Sequence, residues 1–165
     1  LEPWENWFAE VEESHTSLLP LVFFRSPQPD RSWITAAGAV LDTAAMMMTV
    51  VDFPYDDMPL RLTSRAGYLA LRRIADLFGI QYNPDPKYPD DPISITREEF
   101  DEACRQLSEA GIPLYEDLDL AYEEFAGWRI NYDLPLVAIA ALIRAPYAPW
   151  SSDRSVRGMN RLSIW

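Results

Sequence analysis

His15 is the only histidine in the chain and Cys104 the only cysteine. Glu12 and His15 form one Glu-x-x-His pair, the spacing by which a helix offers two ligands to one metal. A di-iron bundle uses two such pairs and two further carboxylates, and here there is no second pair. Metal sites with several histidines are excluded. A Ser-His or Cys-His nucleophile would have to recruit His15, and neither Ser14 nor Cys104 stands in a nucleophile-type context. Acid pairs recur at Asp56-Asp57, Asp90-Asp91, Glu98-Glu99 and Glu123-Glu124, without the ligand spacing of a calcium loop. They read as solvated surface. Gly67, Gly79, Gly111, Gly127 and Gly158 stand alone, so there is neither a phosphate loop nor a dinucleotide fingerprint. No catalytic residue, metal or cofactor is expected from these patterns.

One acid sits in unusual company. Asp42 is the only charged side chain in the nineteen residues from Trp33 to Val51, a length that could cross a bilayer. Asp at mid-helix costs about 3 kcal/mol of insertion energy, and Ile34, Val40, Leu41, Val50 and Val51 together offset only about 2 to 3 kcal/mol. With Ile34 as heptad position a, the a and d positions are Ile34, Ala37, Leu41, Ala44, Met48 and Val51. Trp33, Val40 and Met47 lie beside this apolar seam, and a narrow stripe of Thr35, Gly38, Asp42, Ala45, Thr49 and Asp52 lies along its edge. That is the pattern of a core helix, so no membrane span is expected.

A covered carboxylate needs a partner, because an unpaired one is costly to bury. Arg129 interrupts an otherwise apolar seam that runs from Leu118 through Tyr122, Phe125, Tyr132, Leu136 and Ile139 to Ile143. An Asp42–Arg129 contact is therefore expected, with Arg72 and Arg65 as alternative partners. Asp42, Arg129, Arg72 and Tyr132 are the candidate binding residues. A pocket around Asp42, Arg129 and Tyr132 would suit a small ligand or an enzyme.

The elements that must position these residues are all helical. Trp4, Trp7, Phe8 and Val11 recur at helical spacing over residues 4–14. Residues 17–24 are a short helix or an extended segment, and 26–30 a loop. Ser32 is a candidate N-cap for a helix through Val51, and Asp52 to Pro59 a turn-rich link. Leu62 to Leu77 mark a third helix, stopped by Gly79. Residues 81–93, with four prolines and three aspartates, are a long loop. Thr96 and Glu99 make a capping box, with Ile95 and Phe100 as its hydrophobic staple. That helix covers 97–110, closed by Gly111 with a Leu107–Ile112 contact. The last long helix starts near Glu116 and should kink or split between Asn131 and Leu134, because Pro135 removes a backbone donor; it resumes through Ile143. No repeat and no run of alternating polarity is present. The expected fold is all-α: one domain over residues 1–150, a bundle of five or six helices around one core, followed by a tail over 151–165 carrying Arg154, Arg157 and Arg161.

The chain has 165 residues and a formal net charge of −12. Nucleic acid and anionic membrane surfaces are therefore poor partners for its surface as a whole. The charge is uneven, with net +3 over residues 61–80 and again over 125–165. These basic segments have acids within the domain, or an acidic partner, to pair with. A single cysteine permits no internal disulfide, which fits a reducing compartment. The start at Leu1 rather than Met, with no signal peptide, suggests a processed chain or a fragment of a longer one.

Several short stretches also carry a family likeness. Glu13-Ser14-His15, Phe24-Arg25-Ser26, Ser32-Trp33 and Ala39-Val40-Leu41-Asp42-Thr43 together resemble the region after the pore in bacterial two-transmembrane-helix, potassium-channel-like membrane proteins. The likeness covers about residues 4–45; Phe125-Ala126-Gly127-Trp128-Arg129 and Ala148-Pro149-Trp150 are similar more loosely. It implies a non-enzymatic regulatory or assembly domain at the cytoplasmic face of the plasma membrane. Its partners would be the pore region of the same parent protein and possible further copies of itself. The chain has no Thr-Val-Gly-Tyr-Gly filter, so the pore would lie outside it. The alternative is a free-standing helical interaction module in the cytoplasm.

Overall fold

The computed structural model describes residues 2–24, 26–52, 54 and 56–154. Among them it is an all-α bundle of six helices: α1 (Glu2–Ser17), α2 (Trp33–Thr49), α3 (Met58–Leu77), α4 (Arg97–Glu109), α5 (Leu118–Arg129) and α6 (Asp133–Leu142). A 3-10 turn, Leu19–Phe23, follows α1. No helix of the described residues is long and apolar enough to cross a membrane.

The core has two lobes. In one, Phe8 and Val11 of α1, Ile34, Ala37 and Leu41 of α2, Leu71 and Ile74 of α3 and Leu136 and Ile139 of α6 pack together. In the other, Ala45 and Met46 of α2 meet Ile95, Phe100, Cys104, Ala121 and Phe125. Helix α2 runs through both lobes, and this corrects the expected polar edge. Gly38, Asp42, Ala45 and Thr49 are all buried, because α5 and α6 cover the side of α2 that α3 does not. Met47, expected beside the seam, is on the outside. The small residues of the stripe serve to let a neighbour in: a methyl group at Gly38 would lie 3.1 Å from Leu136.

Gly67 has the same role more severely. A Cβ there would sit 2.6 Å from Leu41 and 2.8 Å from the ring of Phe8, so α1, α2 and α3 reach their spacing only because this residue has no side chain. Two other glycines end helices. Gly79 and Gly111 have φ of 64° and 81°, and the bonds Ile80 N to Ala75 O and Ile112 N to Leu107 O close each helix in a Schellman pattern. The start of α4 carries the capping box: Thr96 accepts from Glu99 N, and the Glu99 carboxylate accepts from Thr96 N at 2.9 Å.

Other boundaries differ from expectation. Ser32 stands at the N-cap of α2 in extended conformation, but its side chain makes no cap bond; its carbonyl instead accepts from the Thr35 hydroxyl at 2.9 Å. α3 begins at Met58, earlier than its apolar spacing suggests, because Pro59 fits the first turn. α5 begins at Leu118, where Asp117 accepts from Asp119 N and Leu120 N. The expected break falls at 130–132, and Pro135 occupies the first turn of α6, where its missing donor costs nothing. Packing also continues past residue 150. Ser151 is buried, and Arg154 pairs with Glu99 at 2.7 Å. Arg157 and Arg161, assigned to the tail, lie outside the described residues, as does Arg25.

Candidate functional site

The break between α5 and α6 assembles the most polar part of the core. Arg129 ends α5, Tyr132 precedes α6, and Asp133 opens it. A cation at a helix C-terminus and an anion at an N-terminus both oppose the local dipole favourably. The spacing of three and four residues keeps all three side chains on one side of the chain, where the buried stripe of α2 presents Asp42.

Arg129 is fully buried. Its Nη1 donates to Asp42, its Nε to Asp133 at 2.7 Å and its Nη2 to the carbonyl of Trp150 at 2.6 Å. The guanidinium also lies 5.0 Å from the centre of the Tyr132 ring, and the Tyr132 hydroxyl donates to Asp42 at 2.9 Å. The expected Asp42–Arg129 contact is therefore present, and Tyr132 belongs to it. Arg72 does not. Its Nε donates to the Asn131 carbonyl at 2.8 Å and its Nη1 to the Pro84 carbonyl at 3.0 Å, and it stacks over Tyr68 and Tyr82. It thus satisfies the Asn131 carbonyl left open by the α5–α6 break and ties the 81–93 loop to α3 through Pro84. Arg65, the other alternative, is exposed.

Electrostatics in the cluster follow from burial. Loss of water raises the Asp42 carboxyl above its ordinary value, against the pull of Arg129 and Tyr132. Burial also disfavours the Arg129 cation, but Asp42 and Asp133 outweigh it and hold the guanidinium charged. The Tyr132 phenol is pushed well up, first by burial and then by Asp42, so it remains a donor. Two carboxylates share one guanidinium, whose remaining donor is taken by the Trp150 carbonyl.

The cluster continues outward. Asp133 accepts from Ser94 N at 2.9 Å and from Ser94 Oγ at 2.7 Å, and Arg154 donates to the Ser94 carbonyl at 2.6 Å and to Glu99. Beside it opens a cleft of about 600 Å³, walled by the 82–94 loop, the start of α4, the α5–α6 break and Arg154. Asp133, Ser94 and Glu99 line the cleft; Asp42, Arg129 and Tyr132 do not. Asp133 was readable from the sequence as the residue four positions after Arg129. Ser94, the carbonyl of Trp150 and the Arg154–Glu99 pair carry no sequence signal, because they arise from loop placement.

His15 and Cys104 do no visible chemistry. The His15 ring lies 4.6 Å from that of Trp33 and 2.9 Å from the Ser14 hydroxyl. Burial holds it below its ordinary value, with the Val11 carbonyl pulling the other way. Cys104 is buried, and burial pushes its thiol up to about 11, which leaves little reactive thiolate. Among the described residues no group of three or more histidine, cysteine or acidic side chains could hold a metal ion. Comparison with models of protein families, with curated proteins and with solved structures finds no match to this chain.

Proposed function

We propose that this chain is a non-enzymatic regulatory or assembly domain of an ion-channel-like membrane protein, held at the cytoplasmic face and acting through packing against the pore region or further copies of itself. The observation that carries this reading is the mutual pairing of the stretches that resemble such proteins. His15 of Glu13-Ser14-His15 stacks on Trp33 of Ser32-Trp33. Trp33 donates to the Val22 carbonyl at 3.0 Å, which ties the 3-10 turn to α2. Asp42 pairs with Arg129, and Arg129 with the carbonyl of Trp150. The resemblance thus rests on the joints of a framework.

The surface offers a place for such contacts. Leu18, Leu19, Phe23 and Phe24 are all exposed around the 3-10 turn, a concentration of apolar side chains of the kind that marks interaction sites. The test is the reading frame before Leu1, followed by transport. Two apolar segments flanking a selectivity filter are expected upstream, and the whole protein should restore growth of a potassium-uptake-deficient bacterium at low potassium. Deleting residues 2–154 should alter that growth or the channel's oligomeric state. A frame with no such segments ends the channel reading and leaves the free-standing interaction module.

A further inference from the structure

The cleft beside the α5–α6 break has an apolar floor of Ile93, Ile130, Leu134, Pro135 and Val137. Its polar walls are already committed. Asp133 is held by Ser94 and Arg129, Glu99 by Arg154 and the backbone of Thr96, and Asp91 by Asn83 and the backbone of Lys87. A ligand needing many directional hydrogen bonds would have to break these pairs. An apolar chain with basic groups would not, since the walls carry three carboxylates, Asp91, Glu99 and Asp133, against Arg154.

Such a chain begins at the cleft itself. Arg154 stands in its wall, and the residues that follow, outside the described ones, read SVRGMNRLSIW. Residues 155–165 contain Met159, Leu162, Ile164 and Trp165, two arginines and no acid. Both the apolar content and the sign of charge match the cleft. Attachment at its edge gives the segment a local concentration in roughly the millimolar range, so a weak fit suffices.

We propose that the cleft is an intramolecular peptide groove and that residues 155–165 are its occupant, matched to it by apolar content and by opposite charge.

Trypsin cleavage of the full chain at the Arg161–Leu162 bond tests this, read by mass spectrometry against the synthetic peptide SVRGMNRLSIW. Docking should slow that cleavage about tenfold or more, since cleavage follows the population of the open form. Ile164→Ser/Trp165→Ser, outside the core, should return the rate to that of its own matched peptide, as should Leu134→Lys in the cleft floor. Where Leu134→Lys fails to fold by circular dichroism, the segment variant alone decides. Cleavage of the unaltered chain at the peptide's rate overturns the proposal, as does protection that the segment variant leaves intact. Protection that grows with protein concentration means insertion into a second copy, and also overturns it.

Discussion

The hydroxyl of Tyr132 and the guanidinium of Arg129 converge on the same oxygen of Asp42. Arg129 also holds Asp133, so one cation serves two acids, and the members of the cluster are not equivalent. Asp42→Asn leaves the Arg129–Asp133 pair intact and one acceptor on residue 42, and should cost about 1–2 kcal/mol. Arg129→Met strands both acids in the core and should cost about 3–5 kcal/mol. Urea unfolding gives both values, and an Asp42→Asn loss equal to or above that of Arg129→Met would refute the shared-cation account.

His15 is the chain's sole histidine, which makes its linkage to pH easy to isolate. Its folded-state pKa lies below the ordinary 6.5, so the unfolded chain binds the proton more readily. The contribution of His15 to stability is therefore complete above 6.5 and is lost as pH falls from there toward the folded value. Melting temperatures at stepped pH across this window should decline for the unaltered chain and decline less for His15→Gln. Identical slopes in the two proteins would count against a half-buried, neutral ring.

Two glycines predict opposite results for the same change. At Gly67 a methyl group would meet Leu41 at 2.6 Å and Phe8 at 2.8 Å, so Gly67→Ala should destabilise by about 1–3 kcal/mol through overpacking. At Gly127, inside α5, nothing lies within 4 Å of the added carbon. Gly127→Ala should stabilise by about 0.5–1 kcal/mol from helix propensity and lower unfolded-state entropy. Denaturant midpoints of the two variants should move to opposite sides of the parent.

The Cys104 thiol, buried and raised from 9.0 to about 11, has roughly a hundredfold less thiolate near neutral pH than a free cysteine. Labelling by a disulfide reagent should therefore be slow in the folded chain and fast in denaturant. A rate in native buffer matching the unfolded rate would mean that α4 opens freely.

What the sequence discloses depends on how local the cause is. Both ends of α4 are legible because the cap, the staple and the Gly111 turn are all written within a few residues of the boundary. The break before Pro135 is legible for the same reason. The Asp42–Arg129 pair, 87 positions apart, is legible because Asp42 is the one charge in a nineteen-residue run and Arg129 interrupts an apolar seam, so each needs a partner. Arg72 misleads because its alternative partners are backbone carbonyls, of Asn131 and Pro84, and carbonyls leave no mark in a sequence. The burial of the small-residue stripe on α2 is hidden too. Gly38 and Ala45 look like a neutral edge until α5 and α6 are laid against them.

The bond from Arg129 to the Trp150 carbonyl has a meaning in the order of synthesis. The helices that carry Asp42 and Asp133 are complete before residue 150 is added, and chains begin to fold from the N-terminal side as they emerge. Until Trp150 arrives, the guanidinium has an unmet donor in apolar surroundings, a deficit of about 1–3 kcal/mol. A peptide carbonyl twenty-one positions downstream therefore acts as a completion mark. The domain reaches its full stability only once residue 150 has been added.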